Sequence, residues 1–450
     1  MVATLPGRTH GLGLVTEPVL QDLSLDRVAY ATLNLWATLI GAAFCLPVGW
    51  LLDRLGVRWV LAGVAAALGV VVVLMAGVTA GGSTIPLAPT VENQNVSWFT
   101  TTPVPLDLFV LVTLTRGLGQ SALSVVSLAL MGKAAGRTSG LVVGVYSFVM
   151  AVGFMAAFGG IGQVMGQPER EAKSRFEADT RAGTATGTLD DYQARAKEEY
   201  RGLWRKVWGG IGWSVVGAAV GLPLLVRRLP ARRHETPDGD DAEKPSLTLP
   251  QAARTAGFWV FGLATSFYGL LTSGLSLFNQ SVLAERGFEA SVFYTITAVG
   301  PLVGLAANLV SGLLARAGVR LGDLLAGAMV MQGVALVLFP NVTTLTHVYA
   351  YAAAMGVAGG ALTVVFFAYW TQAYGPKHLG RIQGLAQMLT VFASAVGPLV
   401  LAAGWRAHGS YAPVLQQLSA VSFAFAVLAA VVPMPNRPRS EPTATPGASR

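Results

Sequence analysis

Residues 49–58 read GWLLDRLGVR, and residues 311–320 read SGLLARAGVR. Each stretch closes one long apolar run and opens the next. Leu51–Arg58 and Leu313–Arg320 agree at six of eight positions, 262 residues apart. Two further pairs follow. GLGQSALSVV at 117–126 matches GVAGGALTVV at 356–365, and GRTSGL from Gly136 matches GRIQGL from Gly380. The offset falls by 23 between the first and second pairs, and residues 81–105 form a polar insertion of about that size. The chain therefore reads as two homologous halves. Internal repeats of this kind are typical of secondary transporters, with the substrate site between the repeats near the bilayer midplane.

Composition agrees. Of 450 residues, 53% are hydrophobic and 12% charged, against about 25% charged in soluble domains. Mean hydropathy is +0.55. The expected fold class is an all-α polytopic membrane protein built from two pseudo-symmetric six-helix bundles. A net charge of +8 does not indicate nucleic acid, because the basic residues sit in short turns between apolar runs. The single cysteine, Cys45, allows no disulfide framework or metal cluster.

A membrane helix needs roughly 20 mostly apolar residues. Eleven runs qualify: 30–52, 59–80, 106–131, 140–165, 205–226, 257–279, 290–314, 322–340, 346–371, 382–404 and 412–434. A weaker one at 5–21 contains Arg8, His10 and Glu17. VLQD at 19–22 aligns with VLAE at 282–285, so the partner of the span from 257 would begin before Met1. The first helix is expected to be truncated, by an upstream start or as a stub. The spacing favours the upstream start.

Lys and Arg set the orientation. With the 53–58 turn cytoplasmic, 17 basic residues fall in cytoplasmic segments, against Arg27, Arg286 and Arg406 in short outer loops. The protein is expected in the inner (plasma) membrane with both termini cytoplasmic. Its parts would be an N-terminal bundle 1–226 with outer insertions 81–105 and 167–203, a cytoplasmic loop 227–256, a C-terminal bundle 257–434, and a disordered tail 435–450. The insertion 167–203 has two charged stretches of helical composition broken by GTATGT. A solvated insertion is the simpler reading, a cap over the outer mouth the other.

GWLLDRLGVR resembles the signature between the second and third helices of the major facilitator superfamily. TRGLGQSA at 115–122 is similar to that family's fourth-helix motif. With SLTLPQAARTAGFWVF at 246–261, the chain looks most similar to the oxalate–formate and monocarboxylate-like branch. The resemblance implies twelve spans, a charged central loop and a secondary active transporter working by alternating access. It also implies that the charged turn locks the two halves on the cytoplasmic side. Gly49, Asp53, Arg54, Gly56 and Arg58 form that gating turn here. Arg316, Gly318 and Arg320 repeat it, with Ala315 in place of the acid, so gating is expected to be asymmetric. Asp53 ends a helix whose dipole repels it, so it needs a partner. Arg381 and the start of its helix are the candidates. Residues 144–160 lack the Gly-Pro ending of the family's antiporter signature, which disfavours drug–proton antiport.

Arg116 lies about 10 residues, or roughly 15 Å, into its span, near the middle of a ~30 Å hydrocarbon core. An arginine there faces a wet cavity or a partner. A guanidinium suits a carboxylate, but helix-tying contacts to carbonyls explain it equally well. Its counterpart in the other half is Met355. Gln120, Tyr268 and Asn308 are further candidates for the substrate pathway, and Glu17 for a proton pathway or the outer interface. The expected function is proton-coupled transport of a small organic anion such as a monocarboxylate, by a monomer, with no cofactor, metal or nucleic acid. Export of a neutral or cationic solute and a transport-inactive membrane sensor are the rivals. No paired-acid or histidine constellation marks an enzyme, and no phosphate loop is present.

Overall fold

The computed structural model describes residues 2–79, 81–87, 102–124, 126–127, 139–225, 247–375 and 379–435. Gly49 lies within a helix, the side chains of Asp53 and Arg381 lie outside the described set, and so do most of the central loop and the tail.

Apolar runs fold as helices because lipid cannot satisfy backbone polar groups. The first span is broken. A 3-10 turn, Val2–Gly7, is followed by α1 (Thr9–Gly13) and α2 (Thr16–Asp22). The second divides into α3 (Arg27–Ala42), capped by Asp26, and the start of α4 (Cys45–Met75). The hydrogen-bonded ladder of α4 runs on through the charged turn, but Gly56 (φ 76°, ψ 161°) breaks the helix there, separating second and third spans. Glycine enters that conformation without the Cβ penalty. The fourth span, α5 (Leu106–Thr115), continues as a π-helical turn, Arg116–Ala122. The fifth and sixth are α6 (Ser139–Met165) and α9 (Leu203–Leu225).

Between them, α7 (Gln167–Ala182) and α8 (Leu189–Glu199) form a polar helical hairpin. Left-handed Gly183 ends α7, and a Thr188–Asp191 capping box starts α8. Phe176 packs edge-on to Tyr192, and Arg175 bridges to Glu199 at 2.7 Å. The ends of the 81–105 insertion pair as two short strands, Thr84–Ile85 with Val104–Pro105.

In the second half, a short α10 (Leu249–Ala253) precedes six helices. These are α11 (Ala256–Ala284), α12 (Ala290–Arg316), α13 (Leu321–Leu338), α14 (Leu345–Tyr374), α15 (Leu379–His408) and α16 (Ala412–Val431). The described part of the 227–256 linker is thus partly helical. Among the described residues, eight helices are long and apolar enough to cross a membrane. The expected spans 30–52, 106–131 and 205–226 are not among them: the first is broken after Ala42, the second runs beyond the described residues, and the side chains of the third are described only as far as Pro223.

Among the described residues, the halves meet at one end. One apolar cluster combines Leu12, Leu33 and Met165 with Leu271, Phe293 and Leu401, whereas a second, around Phe258 and Trp370, belongs to the second half alone. α3 packs on α15, α6 on α12, and α1 on α11. At this end Arg27 bonds Glu17 at 3.0 Å and Ser281 at 3.1 Å and stacks over Trp405. Arg406 pairs with Asp26. Among the described residues, α4 makes no substantial packing with the second half.

Candidate functional site

Three spans converge at Arg116. A methyl on Gly7 would lie 2.4 Å from the Thr115 carbonyl, and one on Gly119 would lie 2.9 Å from Gly7 Cα. One on Gly41 would touch Arg116 Cβ at 3.0 Å. Glycine alone lets the first, second and fourth spans approach this closely. The π turn adds a residue to the local helical repeat and re-aims the side chains that follow, a deformation often found at functional sites.

Arg116 is 1% exposed. Its Nη1 donates to Thr9 Oγ1 at 2.8 Å, Gln120 Oε1 at 3.1 Å and the Gly7 carbonyl at 3.4 Å. Its Nη2 donates to Asn34 Oδ1 at 2.7 Å, and its Nε is buried without a partner. Every one of these acceptors is neutral. One turn away, Arg8 donates to Thr4 at 2.7 Å and to Ser124 at 3.3 Å. Every described Asp and Glu side chain lies at a helix end or in the hairpin. The middle of the first half is therefore electropositive.

Thr9, which accepts from Arg116, precedes His10, and His10 faces a central cavity of about 390 Å³. Tyr268, Thr272, Asn279, Tyr351 and Met355 line the opposite wall, which belongs to the second half and carries no charged residue. Tyr351 donates to Asn279 at 3.4 Å. The phenol oxygen of Tyr268 occupies the space above Gly359, 2.2 Å from where a Cβ would sit. Pro301, inside α12, and Gly304 also border the cavity.

The structure thus brings Arg116 and Gln120 together and joins them to the cavity through Thr9 and His10; Tyr268 lies in the opposite wall. Asn308 is half-buried beside Gly360, one turn from Gly304, and does not line the cavity. Glu17 is held by Arg27 and Ser281 at the closed end. Arg54, Arg316 and Arg320 are exposed, Arg58 stacks on Trp59, Arg320 lies 3.9 Å from Asp323, and Gly318 has φ 95°. The expected Asp53–Arg381 contact lies outside the described residues. Sequence reasoning does not find Thr9 and Asn34 as contacts of Arg116, nor His10 as a wall of the cavity. The separation of 82 residues between Asn34 and Arg116 leaves no local signal.

Above the closed end lies a vestibule of about 770 Å³, roofed by the hairpin. Glu169 accepts the Ala290 backbone N–H of the second half at 3.0 Å, and Lys173 reaches Glu289 at 3.4 Å. Burial pushes the Glu169 carboxyl above its usual range. On the other side, Asp22 holds Trp204 and Arg205. The hairpin therefore caps the closed end and is not a free insertion.

No curated protein matches the sequence. Among solved structures, the chain is similar to a bacterial homologue of the human lysosomal transporter Spinster in an inward-facing, unoccupied conformation. Identity is 15%, coverage 96% of this chain and 94% of that one, and TM-score 0.65. It is similar to a D-xylose–proton symporter (14% identity, 96% and 97% coverage, TM-score 0.65). The nucleoside transporter NupG is similar at 11% identity, 95% and 96% coverage and TM-score 0.63. The sequence model of the Major Facilitator Superfamily matches residues 7–398. This multi-pass membrane protein, a transporter and not an enzyme, belongs to the major facilitator superfamily.

Proposed function

We propose that this transporter carries a small organic anion, with a monocarboxylate as the simplest case, together with protons. The carrying observation is the Arg116 guanidinium, buried with neutral acceptors only. A buried charge without a counter-ion is costly, and a carboxylate entering beside it would supply both the charge and the missing partner for Nε. Arg8, two residues before the cavity-lining His10, adds a second positive charge to the first half, and the similar D-xylose symporter takes a proton as its co-substrate.

In the orientation set by the loop charges, the closed Arg27 end is external and both termini are cytoplasmic, in the inner membrane. The molecule is then inward-open, with the outer gate shut by Glu17–Arg27–Ser281 and Asp26–Arg406. The 53–58 turn would lock the opposite end when the cavity faces out. The fold needs no second subunit to complete the cavity, which fits a monomer. SLTLPQAARTAGFWVF is the sequence support for the monocarboxylate-like branch.

One observation favours a neutral solute instead: the second-half wall of the cavity is polar but uncharged. The protein reconstituted in liposomes is tested with carboxylates, amines, sugars and nucleosides, and transient currents and flux are recorded. Carboxylate-evoked current, larger at acidic pH, supports the proposal. Silence to carboxylates with uptake of a neutral or cationic solute overturns it. No flux with any solute leaves the sensor reading.

A further inference from the structure

We infer that a groove on the lipid-facing side of the first half is a binding site for one anionic phospholipid. The groove has a volume of about 540 Å³, and none of its lining residues comes from the second half. It runs between α6 and α9, which touch each other only sparsely. Gly160, Val164, Gly210, Ile211 and Ala218 form its walls, and Val2 and Pro6 also line it. The one hydroxyl in the wall, Ser214, is spent on the Gly210 carbonyl at 2.8 Å. The wall therefore offers an occupant dispersion contacts and no free polar group, as an acyl chain requires.

The glycines support an occupant. Gly7, Gly41 and Gly119 are compelled by backbones that a methyl would strike. Gly160 and Gly210 are exposed, and a methyl at either would meet nothing within 4 Å. Glycine inside a helix costs stability relative to alanine, and here no protein neighbour requires it. At these two positions a larger side chain would project into the trough.

Charge selects the head group. Lys206 lines the mouth of the groove, is exposed, and makes no hydrogen bond or ion pair among the described residues. Its neighbour Arg205 is bound to Asp22 and is not free to serve. From Lys206 to Ala218 the helix rises ~18 Å, close to the ~15 Å half-thickness of the hydrocarbon core. A chain filling the trough thus places its phosphate at the ammonium, at the level where head groups lie.

The test is retention of lipid by the purified full chain, read by native mass spectrometry. Phosphatidylglycerol and phosphatidylcholine of identical acyl chains are the probes. Wild type is expected to retain one phosphatidylglycerol about fivefold better than phosphatidylcholine, the scale of one basic residue at a membrane surface. Lys206→Gln removes that preference but still retains either lipid. Gly210→Leu, and separately Gly160→Leu, fill open space and abolish retention of both lipids while melting as wild type does. Equal retention of the two lipids by wild type, or retention unchanged in both leucine variants, overturns the inference.

Discussion

Arg116 decides between an anion site and a clasp between helices, and two substitutions separate them. Arg116→Gln removes the charge and the fork; Arg116→Lys keeps the charge on a single ammonium. The guanidinium joins Asn34 on one side to Thr9 and Gln120 on the other, a span that one ammonium cannot bridge. Interhelical side-chain hydrogen bonds in membranes average ~0.6 kcal/mol each, so those to Asn34, Thr9 and the Gly7 carbonyl sum to about 2 kcal/mol. Against this loss, removing a buried charge recovers part of its desolvation cost. Both variants should therefore fold, losing no more than about 2 kcal/mol. The effect on a carboxylate substrate is larger. Two charge-assisted bonds at ~1.5–3 kcal/mol each amount to about 3 kcal/mol or more, which is at least a hundredfold in affinity. In proteoliposomes, Arg116→Gln should raise the KM for carboxylate at least a hundredfold. Arg116→Lys should raise it about tenfold, one bond's share. Melting curves supply the control. If Arg116→Gln transports carboxylate with wild-type KM while melting lower, the arginine is a clasp and the anion reading fails.

Gly359→Ala would place a methyl 2.2 Å from the Tyr268 oxygen, so the phenol must swing into the cavity and uptake should fall severalfold at constant expression; Tyr268→Phe in that background should restore part of it. Glu169 has its carboxyl raised by burial in the closed state and returns to the usual range when the vestibule opens. The closed state therefore binds the proton more tightly, and lowering pH through that raised value favours it. The groups facing Glu169 are Lys173 and Arg170 on its own helix, Lys197 on α8, and Glu289 and Tyr294 on the second half. Labelling of Ser276→Cys from the Arg27 side, in a Cys45→Ser background, should fall with pH in wild type and lose that dependence in Glu169→Gln; an unchanged profile in the variant removes Glu169 as the sensor. Asp53→Asn should insert and fold but lose transport, and full uptake by that variant refutes the locking role of the turn.

The duplication made the architecture readable. LLDRLGVR and LLARAGVR mark equivalent turns, and both do contain a glycine at positive φ, Gly56 and Gly318. Hydropathy located the helices of the second half because each is uninterrupted over 18 residues or more. Hydropathy averages over a window, however, and cannot see where a backbone changes its winding. The break after Ala42, the two breaks in the first span and the π turn at Arg116 all lie inside apolar runs. Each is fixed by contacts between helices far apart in sequence, such as Gly7 against Gly119.

The same non-locality explains which site residues were legible. Arg116 announced itself, since a lone charge in an apolar run is conspicuous. Its acceptors Thr9 and Asn34 did not, because small polar residues are common in membrane helices and only packing assigns them a partner. The division of labour between the halves follows from that packing. The two walls of the central cavity are chemically unlike: His10 and Phe158 form the first-half wall, with the buried Arg116 behind it through Thr9, and the other wall is neutral and lined by Tyr268, Asn279 and Tyr351. A ligand with one anionic end and a short polar body satisfies both walls at once, whereas a purely neutral ligand leaves the guanidinium uncompensated when the cavity closes. Occlusion should therefore be favoured by the charge of the ligand, and its size limited by the neutral wall, so the two halves select for different parts of the same molecule.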